Sequence, residues 1–293
     1  MKSLADGIYP AAITPFLESG LVDQVSALLL MARFKDAGCA GVVLAGTNGE
    51  GPSLSTIEKR DLVRVAVAAD ILPVILGVAT ASLEEAIWSI DQAARAGAAT
   101  ALLMPPAYFR EASQEGITAW FFAVMNRTSL PILLYNIPAR TGIALSVETV
   151  AECAKHDHMA GIKDSSGVVE NLQLFADALS GMNKNLFVGD ESLLLKALDC
   201  GWSGSISGAA NVIPRWLCAI AAEAHGERES AETKFSLVQP IITVLRTGPQ
   251  PGLNKSLLAK ARVIPRADLR LPLRPVSDQT VSSAWDLASS YMA

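Results

Sequence analysis

The strongest constraint on the fold is a series of eight short, continuously apolar segments that alternate with longer helical patterns. The apolar segments lie at 7–14, 40–45, 73–78, 100–104, 131–136, 159–163, 186–189 and 203–207. An apolar run without alternation indicates a strand buried on both faces, as in a parallel sheet covered by helices. Helical patterns follow the strands at 22–37, 56–69, 83–96, 113–127, 147–155, 169–179 and 192–199. Eight such units predict an α/β fold of the (β/α)8 type, the TIM barrel.

The ends of the helical patterns support this division of the chain. Gly38, Gly97 and Gly201 each follow a predicted helix and precede a strand, which is typical of a left-handed C-terminal cap. Beyond residue 213 only helical patterns remain, at 215–224, 231–245, 253–260 and 278–291. The sequence therefore predicts a catalytic barrel over 1–213. The remainder, 214–293, is predicted as a C-terminal helical appendage within the same structural unit.

Composition narrows the possible partners and the compartment. Of the 293 residues, 51% are hydrophobic and 18% charged, which supplies a large core and excludes a disordered chain. The net charge of −5 gives no indication of a nucleic-acid partner. The first ten residues contain no apolar signal segment, and no apolar run is long enough to span a membrane. We therefore expect a cytoplasmic protein without a membrane partner.

The cysteines and histidines form no recognisable metal-binding pattern. The four cysteines are Cys39, Cys153, Cys200 and Cys218, and the three histidines are His156, His158 and His225. The cysteines are widely spaced and form no CxxC pair, which favours reduced, buried thiols. The histidines have neither a helical two-ligand spacing nor an obvious partner. We therefore predict no catalytic metal.

Lys163 is the residue that most directly indicates chemistry. In a barrel of this type the active site lies at the carboxyl ends of the strands. Lys163 follows Gly161-Ile162 at such an end, so its amine is expected to point into the mouth of the barrel. Burial there favours the neutral amine, which can attack a ketone and form an imine. Tyr135 ends the neighbouring strand, and a phenol close to the imine carbon can shuttle protons.

Other strand ends supply groups suited to binding an acid. Thr47 and Asn48 lie in a turn between Gly46 and Gly49, and backbone N–H groups in such a turn can bind a carboxylate. Arg140 follows a proline-fixed turn after the fifth strand and could clamp a second carboxylate or a hydroxyl-bearing tail. The residues expected to give a bound 2-oxo acid backbone room are Gly189, Ser207 and Gly208.

Four motifs at these strand ends, in this order, resemble the dihydrodipicolinate synthase / N-acetylneuraminate lyase family of class I pyruvate aldolases. The motifs are GTNGE at 46–50, YNIP at 135–138, GIKDSSG at 161–167 and SGSISGAANVIP at 203–214. Each motif is weak alone, but together they cover essentially the whole barrel. The resemblance implies a pyruvate-dependent lyase that works through a covalent imine and needs no cofactor.

By this resemblance, four residues carry the chemistry. Lys163 matches the Schiff-base lysine and Tyr135 the proton-shuttling tyrosine. Thr47 matches the hydroxyl that relays protons to that tyrosine. Tyr108 matches a second relay tyrosine, which in the family reaches across from a neighbouring subunit. The resemblance therefore also implies a homo-oligomer, a tetramer built as a dimer of dimers.

The same resemblance implies roles in substrate binding. Asn48 and Gly49 lie in the carboxylate-binding turn, and Ile206 matches the position that presents a backbone group to the pyruvyl moiety. Arg140 matches the arginine that holds the second substrate in the synthase. The implied partners are a small 2-oxo acid, pyruvate, and an aldehyde.

Departures from the family pattern bear on the aldehyde. The synthase usually has two adjacent hydroxyl residues where this chain has Thr47-Asn48, and paired tyrosines where it has Ala107-Tyr108. These departures favour aldol cleavage or synthesis of a 2-keto-3-deoxy sugar acid, whereas Arg140 favours the alternative, dihydrodipicolinate (4-hydroxy-tetrahydrodipicolinate) synthase. Sialic acid (N-acetylneuraminate) lyase and a dehydratase variant rank below these two.

Two other classes of function fit the sequence less well. A metal-dependent aldolase needs histidine and carboxylate ligands at strand ends, and the three histidines lie elsewhere. A non-catalytic barrel that senses a 2-oxo acid would not need both Lys163 and Tyr135. A Schiff-base lyase is therefore the favoured interpretation.

Overall fold

Eight parallel strands form the barrel that the sequence predicts. The computed structural model describes residues 4–292. The strands are β1 (Gly7–Pro10), β2 (Val42–Leu44), β3 (Val74–Val78), β4 (Thr100–Leu103), β5 (Ile132–Asn136), β6 (Met159–Asp164), β7 (Asn185–Val188) and β8 (Gly204–Ser207). Their order in the sheet is β1-β8-β7-β6-β5-β4-β3-β2, and a parallel bridge between Ala11 and Val43 brings the two edge strands together. The predicted (β/α)8 barrel is confirmed.

Helices follow the strands and cover the barrel. They are α1 (Gln24–Asp36), α2 (Thr56–Ala68), α3 (Leu83–Ala96), α4 (Gln114–Met125), α5 (Pro138–Thr141), α6 (Val147–Ala154), α7 (Glu170–Ala178), α8 (Leu194–Asp199), α9 (Pro214–Glu223), α10 (Arg228–Thr247), α11 (Gly252–Lys260) and α12 (Asp278–Ala288). The four-residue helix α5 was not predicted, because one turn shows no periodicity. Helix α10 begins before the expected residue 231, because its charged first residues carry no apolar pattern.

The first strand is shorter than the expected 7–14 because the chain changes partners after Pro10. The amide of Ala11 donates to the carbonyl of Ser207 at 2.8 Å, and that of Ala12 donates to the carbonyl of Val43 at 2.9 Å. The segment thus binds β8 and then β2. This change of partner joins the two edges of the sheet.

Caps fix where the helices begin and end. Serine side chains accept a backbone hydrogen bond at the start of five helices, and these are Ser55, Ser82, Ser113, Ser146 and Ser277. At the other ends, Gly38, Gly97 and Gly201 have φ values of +86°, +91° and +77°. The predicted left-handed caps are confirmed, and they set the short connections that lead into the strands.

The interior of the barrel is filled with side chains and is not a channel. Tyr9 and Phe187 pack edge to face with ring centroids 5.1 Å apart. Further buried side chains of this layer are Val43, Ile75, Leu102, Leu133 and Ile206. These residues fill the part of the interior nearer the amino-terminal ends of the strands. The Lys163 side chain lies nearer the carboxyl ends, where barrel enzymes have their active sites.

The C-terminal helices extend the barrel on one side. Helix α9 packs on β1, so it takes the place of the eighth helix of the barrel. Helix α10 packs on α9 and α12, and α11 packs on α12. The division of the chain at residue 213 stays a prediction. The contacts between α9 and β1 join the two predicted parts of the chain.

Helix length bears on the expected absence of a membrane span. The longest described helix, α10, has 20 residues and carries charged side chains at both ends. Within residues 4–292, no helix is both long and apolar enough to cross a bilayer. The cytoplasmic location stays a prediction.

Candidate active site

The site is built around Lys163 and Tyr135 on neighbouring strands. The two residues are register partners in β5 and β6, so their side chains point to the same face of the sheet. Each is 5% exposed. The Nζ atom of Lys163 lies 4.4 Å from the centroid of the Tyr135 ring. The structure thus brings together the amine and the phenol that the sequence singled out.

Gly189 makes room for the lysine. It directly follows β7, and its amide donates to the carbonyl of Asp164 at 2.7 Å. A Cβ atom at this position would lie 2.8 Å from Cε of Lys163 and 1.8 Å from Oγ of Ser165. The sequence predicted that Gly189 makes room for substrate. In the structure the absent side chain makes room for Lys163 itself.

A cavity of about 260 Å³ opens above Lys163. Its walls come from the residues at the ends of β2, β5, β6, β7 and β8, from the end of α10 and from the segment after α10. Of the predicted residues, those that line it are Thr47, Asn48, Tyr135, Arg140, Lys163, Gly189 and Gly208. Arg140 is an exposed residue near the end of α5, so its guanidinium lies at the rim. The volume suits a small acid rather than a large cofactor.

The turn after β2 presents unused backbone donors. Among residues 4–292, no group accepts a hydrogen bond from the amide N–H of Thr47 or Asn48. Ala45 and Glu50, at either side of the turn, have φ values of +55° and +53°, an uncommon conformation for residues other than glycine. Such conformations persist where the surrounding structure enforces them, often at a binding site. The turn therefore fits the predicted carboxylate site.

Four predicted residues do not line the cavity. The carbonyl of Gly49 accepts a hydrogen bond from Oγ1 of Thr14 at 2.6 Å. Ile206 points into the barrel interior, and Oγ of Ser207 donates to Glu191 at 2.7 Å on the outer side. Tyr108 is 82% exposed on the loop after β4. Their roles in binding and catalysis stay predictions.

The structure adds two residues that sequence reasoning missed, Glu191 and Arg246. Glu191 is buried, and its Oε1 accepts from Oγ of Ser207 and from the amide of Ala209 at 3.0 Å. Nη1 of Arg246, which comes from α10, donates to Oε2 of Glu191 at 3.1 Å, while Nη2 lies 2.7 Å from Oδ2 of Asp190. Both Glu191 and Arg246 line the cavity. The signal for Glu191 was its position just after strand 7, whereas no pattern indicated Arg246.

The charge of Glu191 depends on these partners. Burial alone would raise the pKa of Glu191, but Arg246 and the hydrogen bonds from Ala209 and Ser207 lower the pKa below its ordinary value. Glu191 therefore acts as a fixed negative charge. It ties the β7 and β8 ends to the C-terminal helix that roofs the cavity.

A second buried acid lies on the outer face of β6. Oδ1 of Asp164 accepts from Nδ2 of Asn136 at 2.7 Å, and Oδ2 accepts from Oγ of Ser166 at 2.7 Å. Burial raises the pKa of Asp164, and these hydrogen bonds partly oppose the rise. The Asp164–Asn136 bond joins the residues that directly follow Lys163 and Tyr135. It thereby fixes the separation of those two side chains.

The sequence predicts no catalytic metal, and the arrangement of possible metal ligands in the structure bears on that prediction. Among residues 4–292, no group of three or more His, Cys, Asp or Glu side chains is placed to hold a metal ion. The prediction that catalysis needs no metal and no cofactor stays a prediction.

Comparison with known proteins gives the family. The model of the Dihydrodipicolinate synthetase family matches residues 4–289. A 4-hydroxy-tetrahydrodipicolinate synthase of Methanosarcina acetivorans is 31% identical over 276 residues, covering 93% of this chain and 94% of the relative. That of Hyphomonas neptunium is 37% identical over 274 residues, covering 91% and 92%. A monomeric variant of dihydrodipicolinate synthase superposes with a TM-score of 0.93 and 28% identity, over 99% and 98% of the two chains.

A lysine buried against a tyrosine at the mouth of a barrel suits a class I carbon–carbon lyase, which holds its substrate as an imine. This chain belongs to the dihydrodipicolinate synthetase family and is a pyruvate-dependent aldolase of that class. The predicted family and enzyme class are confirmed. The preference for a 2-keto-3-deoxy sugar acid gains no support, because the relatives carry the name of the alternative reaction.

Proposed function

We propose that the chain condenses pyruvate with aspartate semialdehyde, the reaction of a 4-hydroxy-tetrahydrodipicolinate synthase. The observation that carries the proposal is the buried Lys163 amine, 4.4 Å from the centre of the Tyr135 ring in a small polar cavity. The neutral amine attacks C2 of pyruvate, and loss of water gives the imine. Loss of a proton from C3 gives an enamine, which adds to the aldehyde carbon. The amino group from aspartate semialdehyde then attacks C2, the bond between C2 and Nζ of Lys163 breaks, and the cyclic product leaves with the amine regenerated.

The residues around the amine divide the remaining work. The phenol of Tyr135 passes protons to and from the carbinolamine oxygen, and the Thr47 hydroxyl extends this relay. The unused amides of Thr47 and Asn48 hold the pyruvate carboxylate. The protonated imine takes up the electron pair released at C3, so the covalent bond itself supplies the electron sink.

The cations at the cavity support an aldehyde that carries a carboxylate. Arg140 approaches from the β5 side and Arg246 from the β7 side, so two guanidinium groups face the space above Lys163. Glu191 and Asp190 neutralise Arg246, which leaves Arg140 as the rim cation for a second carboxylate. Aspartate semialdehyde has such a carboxylate, and relatives of this chain are 4-hydroxy-tetrahydrodipicolinate synthases.

Reversible cleavage of a 2-keto-3-deoxy sugar acid is the second candidate. Asn48 supports it, because this carboxamide lines the cavity where the synthase resemblance expects a hydroxyl. A carboxamide both donates and accepts hydrogen bonds, which suits a hydroxylated chain. Sialic acid lyase activity and a non-catalytic sensor rank below both candidates.

One assay separates these reactions. Purified protein receives pyruvate together with aspartate semialdehyde, glyceraldehyde, N-acetylmannosamine or glyoxylate, and the consumption of pyruvate is followed. We expect the highest kcat/KM with aspartate semialdehyde, and a loss of at least about a thousandfold in Lys163→Ala. A preference for glyceraldehyde would replace the synthase by the sugar acid aldolase. Turnover by the Lys163→Ala protein at near normal rate would overturn the imine mechanism.

Borohydride reduction tests the covalent step apart from turnover. Reduction in the presence of pyruvate should leave one 1-carboxyethyl group on Lys163 and none on the Lys163→Ala protein. An adduct without turnover on any aldehyde would favour the sensor. The absence of an adduct in a folded protein would exclude a Schiff base.

We further propose a homotetramer in which Tyr108 serves the site of a neighbouring subunit. Tyr108 and Phe109 are 82% and 63% exposed on one loop, with ring centroids 5.2 Å apart. Aromatic side chains exposed to this extent suit a protein interface. Light scattering on the wild type and on Tyr108→Ser would test the assembly, since a monomeric wild type with full activity contradicts it.

A further inference from the structure

Two cysteines far apart in the sequence touch at the amino-terminal end of the barrel. Cys39 lies between α1 and β2, and Cys218 lies on α9. Their Sγ atoms are 3.6 Å apart, although 179 positions separate them. This end is opposite to the Lys163 cavity, so the pair belongs to neither the proposed reaction nor its substrate.

The two thiols differ in their access to solvent. Cys218 is half-buried and lines a cavity of about 330 Å³, together with Asp6, Trp202 and His225. Cys39 is 6% exposed and lies behind Cys218. A small reagent entering the cavity therefore meets Cys218 first, with the second sulfur in contact on its inner side.

The contact also sets which sulfur ionises. Either sulfur can donate in this contact. The contact lowers the pKa of the Cys218 thiol, whereas the contact and burial together raise the pKa of the Cys39 thiol. Cys218 is thus the better nucleophile, and Cys39 keeps its proton. By comparison, Cys153 is fully buried and Cys200 has no hydrogen bond to another cysteine among the described residues.

From this geometry we infer that Cys218 and Cys39 form a reversible dithiol–disulfide site whose oxidant is a hydroperoxide. The Cys218 thiolate attacks the terminal oxygen of the hydroperoxide, and the O–O bond breaks to give a sulfenic acid. The other oxygen leaves as an alkoxide, or as hydroxide when the oxidant is hydrogen peroxide. The Cys39 sulfur then attacks the Cys218 sulfur, the S–O bond breaks, and water leaves as the S–S bond forms. Two electrons pass from the thiols to the peroxide, and an added dithiol reverses the change.

The bond would act on stability and leave catalysis alone. It would join the α1–β2 connection to α9, which packs beside β1, and would close a very long loop in the unfolded chain. A long closed loop loses the most conformational entropy in the unfolded state, so the folded state gains stability. Because the Lys163 cavity lies at the other end of the barrel, kcat should not change.

The test uses the full-length protein, reduced, freed of reductant and exposed to hydrogen peroxide. We expect the Cys39- and Cys218-containing peptides to be recovered as one linked species that has lost two hydrogen atoms. Tm should rise by about 5 °C and return to its first value with dithiothreitol. Separate peptides for Cys39 and Cys218 after Cys200 has been oxidised would overturn the proposal.

Single-cysteine variants assign the two roles. Cys39→Ser should stop at the sulfenic acid of Cys218, which dimedone traps, and should show no rise in Tm. Cys218→Ser should leave Cys39 reduced, and Cys153→Ser should behave like the wild type. Normal borohydride trapping of pyruvate shows that each variant is folded, and dimedone labelling of Cys39 in Cys218→Ser would contradict the assigned order.

Discussion

Gly189 lies where the end of β7 meets the side chain of Lys163. The absence of a side chain at residue 189 bears directly on catalysis, because the Lys163 side chain passes through the space that a Cβ atom would fill. Ser165, on the loop after β6, occupies the other side of the same space. Residue 189 therefore controls where the amine stands relative to the Tyr135 ring.

Gly189→Ala should disable the enzyme without unfolding it. The new methyl group would meet Ser165 and Lys163 at 1.8 Å and 2.8 Å, so the lysine must move. A displacement of about 1 Å commonly costs about a hundredfold in rate, and we expect that loss in kcat. Overpacking should also cost about 1–3 kcal/mol of unfolding free energy.

Gly226→Ala is the matched control, because a Cβ at residue 226 has no neighbour within 4 Å. Its kcat and its denaturant midpoint should equal those of the wild type. If Gly189→Ala retains full kcat, the lysine does not depend on the gap at residue 189, and the positioning argument is wrong.

At the scale of elements, α11 holds the turn after β2. Lys255 of α11 is fully buried and pairs with the buried Glu50, and its Nζ lies 4.0 Å from the centroid of the Phe16 ring. The amide of Arg270 donates to the other Glu50 oxygen at 2.9 Å. Glu50 is thus fixed by the C-terminal segment in its left-handed conformation, and the adjoining Thr47–Asn48 amides are fixed with it.

Replacing Lys255 by an uncharged residue should show how far the turn after β2 depends on the Lys255–Glu50 pair. In Lys255→Met, Glu50 is left buried without its partner, which should cost about 3–5 kcal/mol in urea unfolding. The KM for pyruvate should rise, because the turn loses its anchor. The double variant Glu50→Gln/Lys255→Met should recover part of the stability, since it contains no unpaired charge. Equal stability of Lys255→Met and the double variant would show that the unpaired charge of Glu50 is not what destabilises Lys255→Met.

The strand ends could be predicted from the sequence because a parallel barrel gathers them at one rim. Lys163, Tyr135 and the Thr47–Asn48 turn could be identified from the places where apolar runs end, because the active-site residues of a barrel follow its strands. The contribution of Arg246 and Lys255 could not be predicted, because it depends on how α10 and α11 fold back over the barrel. Helical periodicity gives the buried face of a helix but not the element that it meets.

At the scale of the molecule, contacts between residues far apart in the sequence determine the features that could not be predicted from the sequence. The spacing of Cys39 and Cys218 indicated isolated thiols, yet the closure of the barrel places them in contact. The choice of aldehyde substrate also depends on residues that are far apart in the sequence. It depends on the directions of Arg140, Arg246 and Asn48 within one cavity, and the motifs alone favoured a different reaction from that of the relatives.

The C-terminal segment is also joined to the barrel through charge. Nη1 of Arg270 donates to the carbonyl of Ser53 and to Oε2 of Glu58, both at 2.9 Å. Nη2 of Arg270 donates to the carbonyl of Gly20 at 2.8 Å. The hydrogen bonds from Arg270, opposed by desolvation and supplemented by Ser55, lower the pKa of Glu58 to about 2. One guanidinium thus connects two separate segments of the barrel, at Gly20 and at 53–58, to the C-terminal part of the chain.

Acid should release this connection over a defined range. The pKa of glutamate in an unfolded chain is about 4.3, so the unfolded state takes up a proton before the folded state does. The stabilisation by Glu58 is complete above that pH and disappears as the pH falls toward about 2. In urea titrations, Glu58→Gln should therefore be less stable than the wild type at pH 7, and the difference should shrink below about pH 4.5. Glu18→Gln is the control, because its carboxylate is 86% exposed and 3.7 Å from Arg266, where an ion pair contributes little at any pH. A difference for Glu58→Gln that stayed constant down to pH 2.5 would mean that its ionisation is not linked to folding, and that Arg270 holds the C-terminal segment through its backbone partners alone.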